Sequence, residues 1–341
     1  MNVANQYATH FWKNYVYYED RLNTFLKIYL GETDPRTSQW PFTRSPIPLL
    51  FIFVLYYIMY TFGPRLMSTR KALEIRKVLI IYNIIQICLS FFVMKEVLIS
   101  AYQSGFSLSC QPLDLSMNPV ALRMAASSWW YHISKYVDLF DTIFFVLRKK
   151  QKQLSFLHLF HHSTMLFNSY LGMLYIPGGQ AVVSTFLNSF VHVIMYCYYF
   201  LSSLGPQFAY FLWWKKYLTI LQLIQFFSVL AHVFWGSFSG CEVPRWLKLY
   251  VIGYVSVLIL LFLNFYMSCY NKKSLVKCFR NMCIPDCRVK VMEDKLKSKY
   301  SEPRKDGKKS KSPFTVVGRV PNEPFTDADA GDLIQDKDKD L

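Results

Sequence analysis

Charge is scarce in this 341-residue sequence: only 18% of residues are Asp, Glu, Lys or Arg, against about a quarter in ordinary soluble domains. Polar surface on that scale does not cover a soluble globule. A basic stretch followed by an apolar core is also missing from residues 1–45, so no cleavable signal peptide is expected. There is no internal repeat and no pair of Gly/Pro-broken apolar segments of the kind transporters use. Asp-Arg-Tyr and Asn-Pro-x-x-Tyr, which recur in seven-helix receptors, are absent as well. Only seven histidines are present; those placed for a shared site are too few for a di-iron pair without carboxylate help.

What is abundant is apolar residue, 53% of the chain, including 29 Phe and 24 Tyr, in blocks long enough to cross a bilayer. Seven candidate spans fall near 46–63, 78–101, 127–147, 155–176, 180–203, 211–235 and 246–268. The third contains Lys135, Asp138 and Asp141 and is flanked by Trp129, Trp130 and Tyr131, suited to an interfacial belt. The connecting loops test the count. Arg65, Arg70, Lys71, Arg76 and Lys77 follow the first span, and Arg148, Lys149, Lys150 and Lys152 follow the third. The fifth loop carries Lys215 and Lys216, and the last span leads into Lys272 and Lys273. The loops between carry few basic residues. This alternation places the N-terminus in the lumen and the C-terminus in the cytosol.

The formal charge of +16 is concentrated just past the last span. Residues 271–311 hold fourteen Lys/Arg and five Asp/Glu, whereas residues 312–341 hold three and seven. A basic run beside a span suits the anionic cytosolic leaflet better than a nucleic acid, and no nucleic-acid partner is expected. Three regions follow: a lumenal segment 1–45, a membrane domain 46–268 and a cytosolic, largely disordered tail 269–341. Of eight cysteines, only Cys110 and Cys241 lie in expected lumenal loops, where a disulfide can persist. Lys337 and Lys339, fifth and third from the end, are similar to a dilysine retrieval signal of the endoplasmic reticulum; a merely solvated tail is the competing reading.

Ionisable and amide side chains at membrane depth are expensive unless they share a cavity or a partner. Four spans supply them: Lys135, Asp138 and Asp141; His158, His161 and His162; Asn188, His192 and Tyr196; Thr219, Gln222 and Gln225. At about 1.5 Å per helical residue, most sit roughly 10–16 Å below the cytosolic ends of their spans. Lys135, Asp138 and Asp141 recur on one face, as do Asn188, His192 and Tyr196. One buried polar site open to the cytosol is the economical reading. Helix-gluing hydrogen bonds are the alternative for any single residue. The histidines admit a single zinc or metal-free acid–base and nucleophilic chemistry; the reading adopted has no metal.

Lys135-x-x-Asp138-x-x-Asp141-Thr142, His158-x-x-His161-His162, Asn188-x-x-x-His192-x-x-Met195-Tyr196-x-Tyr198-Tyr199 and Thr219-x-x-Gln222-x-x-Gln225 resemble, in order and spacing, the four signature boxes of the ELO fatty acid elongases. The likeness covers residues 30–270. Asp138 stands where that family more often has Glu, which keeps the charge and shortens the reach. The resemblance implies an all-α membrane protein whose seven transmembrane helices include six in a barrel around a substrate tunnel. It implies the condensing step of chain elongation, acyl-CoA plus malonyl-CoA to 3-oxoacyl-CoA, CO2 and CoA, with no cofactor. His161 would be the nucleophile and His192 the carbonyl-orienting group, with His158, His162, Asp141, Asp138 and Lys135 in support. Asn188, Gln222, Gln225, Thr219, Tyr196 and Tyr199 would line the substrate, and Lys149, Lys150 and Lys216 would meet CoA phosphates. The implied partners are the ketoacyl reductase, dehydratase and enoyl reductase of the cycle, with homo-oligomerisation left open. The stretches 153–157 and 213–219 are similar to the very-long-chain and polyunsaturated branches. A seven-helix receptor or transporter with a buried polar site is the alternative.

Overall fold

A computed structural model describes residues 3–270, and all the regular structure among them is helical. The order is α1 (Val3–Leu30), α2 (Ile47–Ser68), α3 (Arg76–Gln103), α4 (Pro119–Asp138), α5 (Phe140–Leu147), α6 (Phe156–Tyr175), α7 (Val182–Ser203), α8 (Lys215–Phe238) and α9 (Arg245–Tyr270). The basic run past residue 270, Lys272, Lys273 and the Lys337/Lys339 signal lie outside the described residues.

Local chemistry accounts for several boundaries. Pro46 caps α2 and Pro48 sits in its first turn, where the missing N–H costs nothing. Asn118 accepts the Ala121 N–H at 2.8 Å to start α4, with Pro119 at its first position. Ser155 accepts the His158 N–H at 3.2 Å to start α6. Each side chain satisfies one of the donors that a helix N-terminus leaves open.

Five helical segments, Ile47–Ser68, Arg76–Gln103, Gly179–Ser203, Tyr210–Phe238 and Arg245–Tyr270, are long and apolar enough to cross a membrane. The expected stretch 127–147 differs from this pattern in two ways. It starts inside a helix that begins at Pro119, and it breaks at Leu139, between α4 and α5. The expected stretch 155–176 is α6, a 20-residue helix whose apolar character is diluted by three histidines. The polar load that marks these two stretches for function is the same load that lowers their hydropathy.

Packing is mainly between neighbours in the bundle. The most extensive contact is α3 against α7, followed by α3 with α4, α8 with α9, α4 with α6 and α7 with α8. Smaller contacts join α6 to α9 and α2 to both α5 and α6. At Gly63 an added Cβ would lie 2.8 Å from Val146 Cγ1, so α2 approaches α5 closely enough that only glycine fits without a shift. One apolar core gathers Leu49 and Tyr56 with Leu166, Tyr170 and Leu174; another gathers Leu223, Phe226, Leu258 and Phe262.

The opposite end from the 148–154 connection is tied down by polar contacts. Asp34 and Arg36 form a fully buried ion pair at 2.6 Å. The Asp34 N–H donates to Leu174 O at 2.7 Å and Thr37 Oγ1 donates to Met173 O at 3.2 Å, which anchors the segment before α2 to the end of α6. Cys110 and Cys241, 131 residues apart, are joined in a disulfide with Cα atoms 5.2 Å apart. It links the α3–α4 connection to the α8–α9 connection. Cross-links closing loops of this size stabilise by about 2–4 kcal/mol. Cys110→Ser is therefore expected to lower the thermal midpoint of the detergent-purified protein, and a reductant should lower wild type to the same value while leaving the variant unmoved.

Candidate active site

The polar residues of α4 and α7 meet in one buried network. Lys135 Nζ donates to Asp138 Oδ2 at 3.0 Å and to Asn188 Oδ1 at 3.1 Å. It also lies 4.7 Å from the centre of the Tyr131 ring, whose hydroxyl donates to the same Asn188 oxygen at 3.0 Å. Lys135, Asp138, Asn188 and His192 are all buried. His192 Nδ1 stands 3.8 Å from Asp138 Oδ2, so one carboxylate oxygen faces both the ammonium and the imidazole. Asp138, although a methylene shorter than Glu, reaches its partner.

The break at Leu139 interrupts the expected one-face stripe, yet both carboxylates still converge on Tyr196. Its hydroxyl lies 3.1 Å from Asp138 Oδ1 and 3.0 Å from Asp141 Oδ2, and the side chain is wholly buried. The tyrosine does across the helix break what helical spacing does within one helix.

The three histidines of α6 separate into different environments. His158 Nε2 bonds Thr142 Oγ1 at 2.8 Å, and Thr142 in turn meets Tyr56 Oη at 2.9 Å. The relay runs from α2 through α5 to α6 and fixes the orientation of His158. One turn on, the His162 ring lies 4.2 Å from that of His158. The His161 ring turns toward α9, edge-on to Phe262 at 6.1 Å. His162 thus packs against both of the others, with the His161 ring edge-on to it at 5.5 Å. Among the described residues no group of three His, Cys, Asp or Glu side chains is placed to hold a metal ion.

Of the remaining expected residues, Gln222 Nε2 lies 3.6 Å from Met195 Sδ. Thr219 and Gln225 are buried. The Tyr199 ring packs 5.9 Å from Tyr196 and is partly exposed. Lys149 Nζ donates to Ser68 O and Arg70 O at 3.1 and 3.2 Å, so this exposed ammonium also ties the 148–154 connection to the end of α2. Lys216 lies 5.8 Å from the Tyr266 ring, and Lys150 is exposed.

An internal cavity of about 150 Å³ opens beside this network, lined by Tyr131, Asn168, Asn188, Gln225, Tyr254 and Leu258 among others. A smaller one of about 80 Å³ shares Ile176, Ala181, Ser184, Val229, Leu247 and Val251 with it. It ends among Gln180, His232 and Cys241. Together they run from the polar network toward the disulfide end of the bundle. The linings are mostly apolar, with few polar groups, as small-molecule sites usually are.

Four side chains in the network have no counterpart in the four motifs: Gln86 and Tyr82 on α3, Tyr131 on α4 and Tyr56 on α2. Gln86 is fully buried and donates to Asp138 Oδ1 at 2.7 Å. An amide inside an otherwise apolar span was the available signal; the tyrosines gave none, because aromatics are frequent throughout.

Comparison with known proteins agrees with the motifs. The ELO model, described as the GNS1/SUR4 family, matches residues 41–277. A human protein named very long chain fatty acid elongase 4 is 44% identical over 239 residues, covering 70% of this chain and 76% of the relative. Very long chain fatty acid elongase 7 of Drosophila melanogaster is 41% identical over 245 residues, 71% of this chain and 74% of its own. Mouse very long chain fatty acid elongase 2 is 39% identical over 261 residues, 76% and 88% respectively.

Removing one partner of a buried ion pair strands the other and costs about 3–5 kcal/mol. Asp138→Asn is accordingly expected to destabilise the protein on that scale in an SDS-titration unfolding assay, whereas Asp138→Glu, which keeps the charge and adds one methylene, should cost less, about 1–3 kcal/mol.

Proposed function

The chain belongs to the ELO, GNS1/SUR4 family, and from that premise we propose that it is a condensing enzyme of fatty acid elongation. It joins acyl-CoA and malonyl-CoA to give 3-oxoacyl-CoA, CO2 and CoA. The observation that carries this reading is the buried Lys135–Asp138–His192–Asn188 constellation beside a mostly apolar cavity. Reacting groups and a slot for an acyl chain meet there.

The wider architecture of the proposal has seven spans, with 46–268 as the catalytic domain. The order of helix contacts supports a six-membered ring: α3 to α7, α8, α9, α6, α4 and back to α3, with α2 outside. The cavities lie within that ring's helices. The N-terminal segment 1–45 faces the lumen of the endoplasmic reticulum and the tail 269–341 the cytosol; the Cys110–Cys241 disulfide suits a lumenal end. Lys149, Lys150 and Lys216 serve the CoA phosphates at the cytosolic rim, and Lys337 with Lys339 retains the chain in that membrane. The product is passed to a ketoacyl reductase, a dehydratase and an enoyl reductase. Very-long-chain, including polyunsaturated, acyl groups are the proposed substrates.

The chemistry proceeds in two halves. A His161 ring nitrogen attacks the thioester carbonyl; the C–S bond breaks, and the CoA thiolate leaves with the imidazole proton. Malonyl-CoA then loses CO2. The electron pair of the broken C–C bond becomes the nucleophile, forms the new C–C bond at the acyl carbon and expels imidazolate, which takes one proton from solvent to restore neutral His161. Asn188 and Gln222 supply N–H donors to the oxyanion, while His192, held at Asp138, orients the carbonyl. Thr219, Gln225, Tyr196 and Tyr199 shape the slot. His158, through Thr142, and His162 hold the helix face from which His161 projects. Asp141 acts through Tyr196. No metal or cofactor enters any step.

Two measurements test this. Microsomes carrying the protein should form 3-oxoacyl-CoA only with malonyl-CoA present, and His161→Ala should lower the rate by about 10²-fold or more. Intact-mass analysis after incubation with acyl-CoA alone should show one acyl adduct, released by malonyl-CoA. An active enzyme with no adduct and no CoA release before malonyl-CoA arrives would overturn the covalent route.

A further inference from the structure

Gln86 belongs to none of the four motifs, yet it is the most connected amide in the site. Its Nε2 lies 2.7 Å from Asp138 Oδ1 and 3.0 Å from both Tyr196 Oη and Tyr82 Oη. A side-chain amide has two N–H groups, so three acceptors compete for two protons. The carboxylate is nearest, and bonds to ionised acceptors are the stronger ones; Asp138 Oδ1 takes one. The other is left for a tyrosine oxygen.

The tyrosines' own protons complete the count. Tyr82 Oη donates to Val137 O at 3.2 Å. Tyr196 has a single hydroxyl proton and two carboxylate oxygens at nearly equal distance, 3.1 Å for Asp138 Oδ1 and 3.0 Å for Asp141 Oδ2. Distance alone does not choose between them. Gln86 does: it serves Asp138 Oδ1 while Lys135 serves Asp138 Oδ2 at 3.0 Å. Asp141, which takes no donor from Gln86 or Lys135, is then the favoured acceptor for Tyr196. With both Asp138 oxygens held, the plane of that carboxylate is set, and Oδ2 stays toward His192 Nδ1, 3.8 Å away.

We infer that Gln86 is a positioning residue of the condensing site, directing the Tyr196 hydroxyl to Asp141 and holding Asp138 toward Lys135 and His192. It acts through these groups and does not itself meet substrate. The inference rests on the condensing activity proposed above and adds α3 to the helices that build the site.

The test uses the full chain in detergent or nanodiscs, with initial rates for wild type, Gln86→Met, Tyr196→Phe and the double variant. Met keeps the length and volume of Gln and removes both donors. Gln86→Met is expected to lower kcat by about tenfold or more, with KM for both substrates within about twofold. Its thermal midpoint should stay close to wild type. The double variant should be no slower than the slower single one, because both substitutions break the same connection. Wild-type kcat in Gln86→Met, a loss confined to KM, or fully additive losses would each overturn the inference. Should Gln86→Met fail to fold, Gln86→His supplies the second arm. It keeps an N–H donor of similar reach and is expected to hold kcat within about threefold of wild type; a folded His variant that loses tenfold overturns the inference. A wild-type chain with no malonyl-CoA-dependent product would instead overturn the condensing function, which separates the two failures.

Discussion

The site depends on one constraint: an ammonium and a carboxylate, Lys135 and Asp138, share a water-poor interior where neither is stable alone. Desolvating such a pair costs several kcal/mol per ion, and attraction offsets this only when the remaining donors and acceptors are also satisfied. The surrounding structure meets that demand group by group. Asn188 and the Tyr131 ring complete the environment of the ammonium. Gln86 serves the second carboxylate oxygen, with the Tyr196 hydroxyl 3.1 Å from it. Because these partners come from α3, α4 and α7, satisfying one ion pair fixes the relative placement of three helices. Those helices are also joined by the largest packing contact in the bundle, α3 against α7.

The same network sets what the site can do. Networks of buried hydrogen bonds hold their members in one arrangement, and electrostatic preorganisation of that kind costs no rearrangement at the moment of reaction. Around it the helices leave space of a different character. The two cavities descend from Asn188 and Gln225 toward Gln180 and the Cys110–Cys241 disulfide. The polar network draws on α3, α4 and α7 and the cavity linings on α4 and α6 to α9, so α4 and α7 serve both by changing residue type along their length. The buried Asp34–Arg36 pair and the disulfide brace the far end.

How much of this was legible in the sequence varied with the kind of signal. Lys135, Asp138, Asn188, His192 and Tyr196 stood out because a polar side chain in an apolar span demands a reason, and all five belong to one network. Spacing along the chain was a fair guide to facing: Asp138 and Asp141 both meet Tyr196, and His158 and His162, one turn apart, pack ring to ring. It carried nothing about contacts to other helices, such as His161 against Phe262. Lys149 read as a rim cation from its place in a basic loop; that its exposed ammonium also bonds carbonyls at the end of α2 was not readable from spacing. Tyr56, Tyr82 and Tyr131 were invisible among 24 tyrosines. Gln86 was visible and passed over; with Asn83 three residues before it on α3, it lies outside the four motifs.

By itself the sequence determined the class of the protein, its family and the helices that carry polar groups. These follow from composition, periodicity and motif order, which are properties of the chain read locally. Tertiary structure alone decided who pairs with whom. Whether Tyr196 meets both carboxylates, whether His158 is held by Thr142, and whether Gln86 belongs to the site all turn on differences in how the helices pack. Those differences arise between helices distant in sequence, where spacing along one helix carries no information. The three histidines were legible as a group; only the packing of α6 against α5 and α9 gave each a separate environment.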